Sequence, residues 1–321
     1  MVINKKYRAL GTIIDLTVYN SVDEKLLDEA YELIKEYEDK LTVNRTSSEI
    51  MNINHASGRD EVSVSEISYK IVKRAIEISQ KELGFNALIG PVVKLWHIGF
   101  ADAEVPQTME VAQRLALTNP FSVVLNDKKR TVFLQKKGME LDLGGIAKGY
   151  IADAIKDYWI KQHIERGIIN LGGNVLLVGD PARESRLWNV GIQSPFSQRN
   201  EPLGILKTGD YSVVTSGIYE RFLKIDGKEY HHIFNPKTGY PVANDLASVT
   251  VITKKSIDGE IWASIGFYNG IRGTMNLFNR KDDIGMIFTT KSKKVYITRN
   301  IAESFKITNQ DYFLEADSVL Q

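Results

Sequence analysis

The strand-like runs of this chain come mostly in neighbouring pairs, and this arrangement constrains the fold more than any other feature. Residues 122–125 and 131–134 flank a polar turn, and residues 285–289 and 294–298 form a similar pair near the C-terminus. Strands joined by short turns pair antiparallel, whereas parallel strands need a longer crossover, usually a helix, between them. The sequence therefore predicts an α+β fold with mainly antiparallel sheets flanked by helices.

The remaining elements follow from apolar periodicity. Strands are further predicted at residues 8–19, with a bend at Gly11-Thr12, and at 167–178, 188–193, 211–215 and 248–253. Helices are predicted at residues 23–41, 65–81, 106–116, 146–160 and 258–268, with a short helix that starts near Ser48-Glu49. The polar breaks at 102–106 and 197–202 are short, and no repeat or linker is present. We therefore expect one domain over residues 1–321.

Composition removes several classes of function. The 41 basic and 40 acidic residues nearly balance, so the charge gives no reason to expect binding to nucleic acid. The absence of cysteine excludes disulfides, zinc-thiolate sites and iron–sulfur clusters. No stretch approaches the roughly 20 apolar residues of a membrane span, and the N-terminus has no apolar leader. We expect a cytoplasmic protein without a membrane anchor.

Residues 141–153 form the most unusual stretch. An acidic strand end runs through Gly144 and Gly145 into a helix with Lys148 in its first turn. Free N–H groups at a helix N-terminus, with a cation nearby, suit a phosphate. Glycine also lets a ligand approach the main chain closely. Taken alone, the segment is better explained by a tight turn followed by a solvated lysine.

Residues 230–241 combine a turn with two of the five histidines of the chain. Asn235 begins the turn, a proline presets its backbone and a glycine ends it. His231 and His232 precede the turn, and histidine is the side chain that exchanges protons most readily near neutral pH. The pair is either a proton-transfer site or one packed and one solvated histidine.

Residues 258–268 offer oxygen ligands to a metal ion. Glu260 and Ser264 are four residues apart and share one helix face. A carboxylate, a hydroxyl and a backbone carbonyl make an oxygen-only set that suits Mg²⁺. A solvated glutamate and a packed serine are the structural alternative.

Residues 214–221 bring hydroxyls, a glycine and an arginine together. Such a loop can bind phosphate or ribose, or it can simply be the end of a strand.

Common nucleotide and hydrolase templates are missing from the sequence. It contains no G-x-G-x-x-G turn that opens a helix after a strand and no G-x-x-x-x-G-K-[ST] loop. The H-E-x-x-H and G-x-S-x-G patterns are missing as well.

The order of the candidate segments resembles the ApbE family, the FAD:protein FMN transferases. The resemblance runs from about residue 9 to about residue 297. It passes through Ala9-Leu10-Gly11-Thr12, Ser48-Glu49-Ile50, residues 85–91 with Leu95-Trp96, residues 142–150, Asn170-Leu171-Gly172-Gly173-Asn174, Thr215-Ser216-Gly217 and residues 232–239.

The resemblance implies an Mg²⁺-dependent enzyme that splits FAD at its pyrophosphate and releases AMP. FMN is joined through a phosphoester to a Thr or Ser of an acceptor flavoprotein. By analogy the metal ligands are the Ala147 carbonyl, Glu260 and Ser264. The turn beside the diphosphate contains Gly144, Gly145 and Lys148. The catalytic pair is His232, which assists proton transfer from the acceptor hydroxyl, and Asn235. The FAD site is lined by Thr12, Glu49, Asn86, Thr215, Ser216, Gly217 and His232.

Four positions depart from the family pattern. Asn235 and Asn86 stand where the family has Asp, and Glu260 and Ser264 stand where it has Asp and Thr. We expect the fold to survive these changes, while the rate or the substrate preference changes. Two alternatives to the transferase are therefore kept: an Mg²⁺-dependent FAD pyrophosphatase, and an FAD-binding protein without turnover. The chain contains no acceptor-like Asp-x-x-[Ser/Thr]-Gly-Ala-[Ser/Thr] segment, so self-modification is not expected.

Overall fold

The structure is a computed structural model that describes residues 1–181, 186–199, 201–278 and 283–320. Its internal contacts divide into two compact units. Unit 1 comprises Met1–Glu36, Lys148–Gly217 and Asn244–Gln321, and unit 2 comprises Tyr37–Ala147 and Ile218–Ala243. The breaks foreseen at 102–106 and 197–202 each lie inside one unit. A single domain over the whole chain stays a prediction, because compactness does not measure independent folding.

Helices and strands alternate irregularly along the described chain. The helices are α1 Lys25–Leu41, α2 Glu49–His55, α3 Glu66–Ser79, α4 Gly90–Trp96, α5 Thr108–Leu115, α6 Ala147–Lys161 and α7 Ser256–Phe278. The first strands are β1 Val2–Ala9, β2 Thr12–Tyr19, β3 Val62–Ser63, β4 Val123–Asn126, β5 Thr131–Leu134, β6 Gly167–Leu171, β7 Asn174–Val178 and β8 Trp188–Gln193. The others are β9 Pro202–Thr208, β10 Ser212–Gly217, β11 Phe222–Ile225, β12 Lys228–His231, β13 Leu246–Thr253, β14 Gly285–Thr290, β15 Lys294–Thr298, β16 Phe305–Ile307 and β17 Phe313–Leu320.

Unit 1 is built on a nine-stranded sheet in the order β1-β2-β6-β7-β10-β13-β14-β15-β17. Every neighbouring pair is antiparallel except β15 and β17. All eight residues of β13 are buried, and α7 packs against β13 and β10. A second, antiparallel sheet has the order β16-β9-β8. The predicted α+β class with mainly antiparallel sheets is confirmed.

The prediction of one bent strand at residues 8–19 is wrong, because the segment belongs to a hairpin of β1 and β2. Leu10 and Gly11 have φ angles of 54° and 68°. Positive φ at both central residues is the backbone of a two-residue hairpin turn, whose twist matches that of the paired strands. The chain therefore reverses where a bend was expected.

Residues 167–178 were likewise predicted as one strand and form a hairpin of β6 and β7. Gly172 and Gly173 have φ angles of 66° and 101°, which only glycine adopts readily. The turn lies against the start of β2, since a Cβ atom at Gly172 would lie 2.4 Å from the Thr12 hydroxyl oxygen. The glycine pair thus closes the hairpin and lets it approach Thr12.

Unit 2 contains helices α2 to α5, the antiparallel sheet β3-β5-β4 and the separate hairpin of β11 and β12. The short helix predicted near Ser48-Glu49 is confirmed as α2, and serines cap both α2 and α3. Ser48 accepts a hydrogen bond from the N–H of Met51 at the start of α2, and Ser65 caps α3 in the same way. None of the helices among the described residues is long and apolar enough to cross a membrane.

A buried tryptophan in unit 2 fixes the turn at residues 235–239. Trp96 ends α4, is fully buried, and donates its indole N–H to the Gly239 carbonyl at 2.9 Å. Its ring contacts those of Tyr230, Phe234 and Tyr240, with centroids 5.4 to 5.9 Å apart. The helix that carries Trp96 was not predicted, because seven mostly buried residues show no amphipathic stripe.

Candidate functional site

A buried carboxylate lies in the first half of α7. Glu260 is 6% exposed, and its Oε1 accepts a hydrogen bond from Asn174 Nδ2 at 2.7 Å. The N–H of Gly149 also donates to this carboxylate. Desolvation raises the pKa of Glu260, while the positive charge of Lys148 and the two hydrogen bonds oppose that rise. A carboxylate in this setting favours a nearby cation, because burial penalises its unpaired negative charge.

The position of Glu260 is set by a close contact between α6 and α7. A Cβ atom at Gly149 would lie 2.6 Å from the Ser256 carbonyl oxygen and 2.8 Å from Glu260 Cγ. Asp153 accepts hydrogen bonds from the N–H groups of Ser256 and Ile257, at 2.8 and 3.1 Å, and so caps the N-terminus of α7. Burial raises the pKa of Asp153 to about 6.

The other two predicted metal ligands, Ser264 and Ala147, are less buried than Glu260. Ser264 is half-buried, one helical turn beyond Glu260, and Ala147 is the first residue of α6. Among the described residues, no group of three or more His, Asp or Glu side chains could hold a metal ion. Mg²⁺ needs no such group, because it binds one or two carboxylates together with substrate phosphates and water. The buried Glu260 carboxylate therefore fits a hard divalent ion.

Two predicted flavin-binding segments, Thr12 and residues 215–217, lie at one end of the nine-stranded sheet, together with the glycine turn that joins β6 and β7. Leu171, at the end of β6, pairs with Ile14 of β2, which places the following glycine turn beside Thr12. Val213 pairs with Val175, so residues 215–217 of β10 extend beyond the start of β7 at the same end. The Thr215 hydroxyl is 2.8 Å from that of Thr250, while Ser216 is half-buried and Gly217 is buried.

The glycine turn of unit 2 leaves its backbone open. Gly144 and Gly145 are exposed, and a Cβ atom at Gly145 would meet only the ring of Phe85, at 3.6 Å. The N–H of Gly144 donates to Asp142 Oδ1 at 2.8 Å. Burial raises the pKa of Asp142, and this hydrogen bond together with the charge of Arg221 opposes the rise. A ligand can therefore approach this main chain without displacing a side chain.

The hydrogen bonds of His231 and His232 show which ring nitrogen carries the proton in each neutral ring. A carbonyl oxygen only accepts, so the ring nitrogen facing it must carry the proton. His231 is buried and donates from Nε2 to the Val242 carbonyl at 2.9 Å, while its Nδ1 accepts the N–H of Ile233 at 3.3 Å. His232 donates from Nδ1 to the Arg221 carbonyl at 3.1 Å, which leaves the lone pair of the neutral ring on Nε2. In this tautomer the neutral His232 ring can accept a proton at Nε2, whereas both ring nitrogens of His231 make hydrogen bonds.

Asn235 serves the geometry of its own turn. Its Oδ1 accepts the N–H of Lys237 at 2.9 Å, and its backbone carbonyl accepts the N–H of Gly239 at 2.9 Å. These bonds hold the loop that follows His232. A direct catalytic role of Asn235 stays a prediction.

Asn86 and Glu49 also make local contacts. Asn86 donates to the Thr118 carbonyl at 2.8 Å and accepts the N–H of Leu88 at 2.9 Å. Glu49 accepts both the N–H and the hydroxyl of Ser65, each at 2.8 Å. A cavity of about 50 Å³, lined in part by Asn86 and by the turn that contains Lys237, is too small for a flavin ring. Contacts of Asn86 and Glu49 with FAD stay predictions.

Sequence patterns alone gave no role to Asn174, Asp153 or Trp96. Each acts through a partner distant in sequence, such as Glu260 for Asn174 or the start of α7 for Asp153. The only available signal was the position of Asn174 and Trp96 inside segments of the family resemblance.

Comparison with known proteins agrees with this organisation. A model of the ApbE family matches residues 10–288. A FAD:protein FMN transferase of Klebsiella pneumoniae (strain 342) is 45% identical over 290 residues, which is 90% of this chain and 89% of that protein. A FAD:protein FMN transferase of Treponema pallidum (strain Nichols) is 32% identical over 323 residues, which is 95% of this chain and 89% of that protein.

Solved structures show the same fold. The ApbE protein of Thermotoga maritima superposes with a TM-score of 0.84 and 26% identity, covering 92% of this chain and 96% of that one. The flavin transferase ApbE of Vibrio cholerae gives 0.82 and 27%, covering 95% and 99%. The chain therefore belongs to the ApbE family.

Proposed function

We propose that this chain, as one domain over residues 1–321, is a FAD:protein FMN transferase that acts on an acceptor flavoprotein. The observation that carries the proposal is 45% identity, over 90% of the chain, with a Klebsiella pneumoniae protein of that name. The chemistry of His232 and of Glu260 supports it, since one can accept a proton and the other suits a hard cation. We propose a cytoplasmic location for this activity.

The proposed reaction is a phosphoryl transfer. The hydroxyl oxygen of an acceptor Thr or Ser attacks the phosphorus of the FMN half of FAD. A new P–O bond forms, the bond to the bridging oxygen breaks, and AMP leaves with that oxygen. The hydroxyl proton passes to Nε2 of His232, whose Nδ1–H stays on the Arg221 carbonyl. Such a reaction needs alignment and charge neutralisation more than covalent help from the protein.

We assign the residues to four roles. Mg²⁺, which neutralises the charge of the diphosphate, would be held by the Ala147 carbonyl, Glu260 and Ser264. The open turn at Gly144 and Gly145, with Lys148, would lie beside the diphosphate. The flavin-binding residues would be Thr12, Glu49, Asn86, Thr215, Ser216 and Gly217. Asn235 would keep the loop after His232 in its conformation.

One experiment separates the three candidate activities. The purified protein is incubated with FAD and Mg²⁺, with and without an acceptor flavoprotein that carries an Asp-x-x-[Ser/Thr]-Gly-Ala-[Ser/Thr] segment. AMP is measured by chromatography and the acceptor by mass spectrometry. We expect one FMN adduct per acceptor, lost on chelation and in His232→Ala. AMP without an adduct would instead identify a pyrophosphatase, and intact bound FAD in every sample would identify a binding protein.

A further inference from the structure

Asn174 links two points of α7 from the start of β7. It is 3% exposed and follows the glycine turn of the hairpin directly. Its Nδ2 donates to Glu260 Oε1 at 2.7 Å, and its Oδ1 accepts the hydroxyl of Ser256 at 2.8 Å. The side chain therefore bridges residues four apart on the helix.

The orientation of this amide is determined by its partners. An ionised carboxylate only accepts hydrogen bonds, so the NH₂ group of Asn174 must face Glu260. The remaining oxygen then faces the Ser256 hydroxyl, which donates to it. A buried polar group with both ends bonded has one well-defined orientation. Asn174 can thus fix the direction of the Glu260 carboxylate.

Glu260 needs such a contact because its side chain is long. A glutamate has one more rotatable bond than an aspartate, and immobilising a flexible side chain costs conformational entropy. The Cγ atom of Glu260 lies close to Gly149, since a Cβ atom built on Gly149 would be 2.8 Å from it. The backbone N–H of Gly149 and the side-chain amide of Asn174 both donate to the carboxylate. The remaining lone pairs keep a defined direction.

We propose that Asn174 is a positioning residue that holds the Glu260 carboxylate in the orientation in which it binds the divalent metal ion. The inference rests on the proposed function, in which Glu260 is a metal ligand. Partners that orient a metal ligand change metal affinity typically 10- to 100-fold when they are removed. Asn174 has a role in metal binding without contacting the ion itself.

The test measures metal affinity directly. Mn²⁺, a paramagnetic substitute for Mg²⁺, is titrated into protein saturated with FAD in the absence of acceptor, and free Mn²⁺ is read by electron paramagnetic resonance. We expect Asn174→Ala to raise the Kd for Mn²⁺ by about 10- to 100-fold. Asn170→Ala is the matched control. It removes a 2.8 Å bond to the N–H of Gly173 in the same hairpin without touching Glu260, and its Kd should stay within about twofold of wild type.

A double-mutant cycle tests whether Asn174 acts through Glu260. In Glu260→Asp the shortened carboxylate retreats toward α7 and loses the 2.7 Å contact. We therefore expect Asn174→Ala to raise the Kd less than about threefold in this background. An equal loss in both backgrounds, or a wild-type Kd for Asn174→Ala, would overturn the proposal. The thermal midpoint of each variant separates a change in metal affinity from unfolding.

Ser256→Ala is the substitute variant if Asn174→Ala does not fold, because it removes only the hydrogen bond to the amide oxygen of Asn174. A smaller rise in the Kd for Mn²⁺ would support the inference, and an unchanged Kd would contradict it.

Two further results keep the inference separate from the proposed function. An active wild-type enzyme whose metal affinity is insensitive to Asn174 would refute the positioning role alone. A wild-type protein that never forms AMP would refute the proposed function.

Discussion

Substituting Gly149 by alanine should unfold unit 1 at a lower temperature, although alanine is the better helix former. The glycine lies in α6, where alanine would gain about 1 kcal/mol in helix propensity. The added Cβ atom, however, would lie 2.6 Å from the Ser256 carbonyl oxygen and 2.7 Å from its carbon. Both are backbone atoms, and the bonds from Asp153 hold that backbone in place.

The size of the effect follows from these contacts. Inserting a methyl group into a packed region costs about 1 to 3 kcal/mol. Rigid backbone on one side and Glu260 Cγ at 2.8 Å on the other leave little room for relaxation, so we expect the upper end of that range. After subtraction of the gain in helix propensity, the free energy of unfolding falls by about 2 kcal/mol. For a chain of 321 residues that corresponds to a fall in Tm of about 3 °C.

The assay is thermal and urea unfolding of Gly149→Ala beside Gly145→Ala. At Gly145 the new Cβ atom would meet only Phe85, at an ordinary 3.6 Å, so stability should stay within about 0.5 kcal/mol of wild type. Gly145→Ala should instead weaken FAD binding, if the turn lies beside the diphosphate. A Gly149→Ala protein that melts at or above the wild-type temperature would refute the steric argument.

Three other predictions address the histidines, the tryptophan and the cap of α7. His232→Ala should slow transfer by about 10²- to 10⁴-fold in the AMP assay with FAD affinity little changed; equal losses in His231→Ala would contradict the tautomer assignment. Trp96→Phe should cost about 1 to 3 kcal/mol in urea unfolding, because the Gly239 carbonyl loses a buried donor; an unchanged midpoint would argue against that bond. Burial raises the pKa of Asp153 to about 6, so the folded state loses stability as the pH rises from 4 to 7. Asp153→Asn, which cannot ionise, should gain about 1 to 3 kcal/mol relative to wild type over that interval, and a pH-independent difference would exclude such a shift.

Periodicity predicted the long amphipathic helices well, because each buries one stripe and exposes the other. The ranges 23–41 and 65–81 correspond to α1 Lys25–Leu41 and α3 Glu66–Ser79. Two glycine turns inside apolar runs were predicted as parts of a continuous strand, because a bent strand and a hairpin have the same residue types and differ only in strand pairing. The hairpin of β11 and β12 had a usable signal in Asp226-Gly227, whose φ angles of 50° and 75° fit a two-residue turn.

The candidate residues were accessible from the sequence only as residue types in a family-like order. Which histidine can accept a proton depends on the carbonyls that face each ring, those of Val242 and Arg221. One of these lies 11 residues after its histidine and the other 11 residues before. The contact of Asn174 with Glu260 spans 86 residues. Tertiary contacts of this kind leave no periodic trace in a single sequence.

The departures from the family pattern are of two physical kinds. Asn235 and Asn86 use a side-chain oxygen to accept the N–H two residues further on, a bond that Asp makes equally well. At position 235 the replacement keeps the turn and removes only a charge, so it can alter the rate without altering the fold. At position 86 the amide also donates to the Thr118 carbonyl, a bond that an ionised Asp cannot make. Glu260 is one methylene longer than the Asp expected from the family pattern. The absence of a side chain at Gly149 leaves room for its Cγ atom, and Asn174 donates a hydrogen bond to its carboxylate. We infer that restoring Asp at position 235 probes the charge alone, whereas Glu260→Asp should disturb metal binding because its surroundings are built for the longer residue.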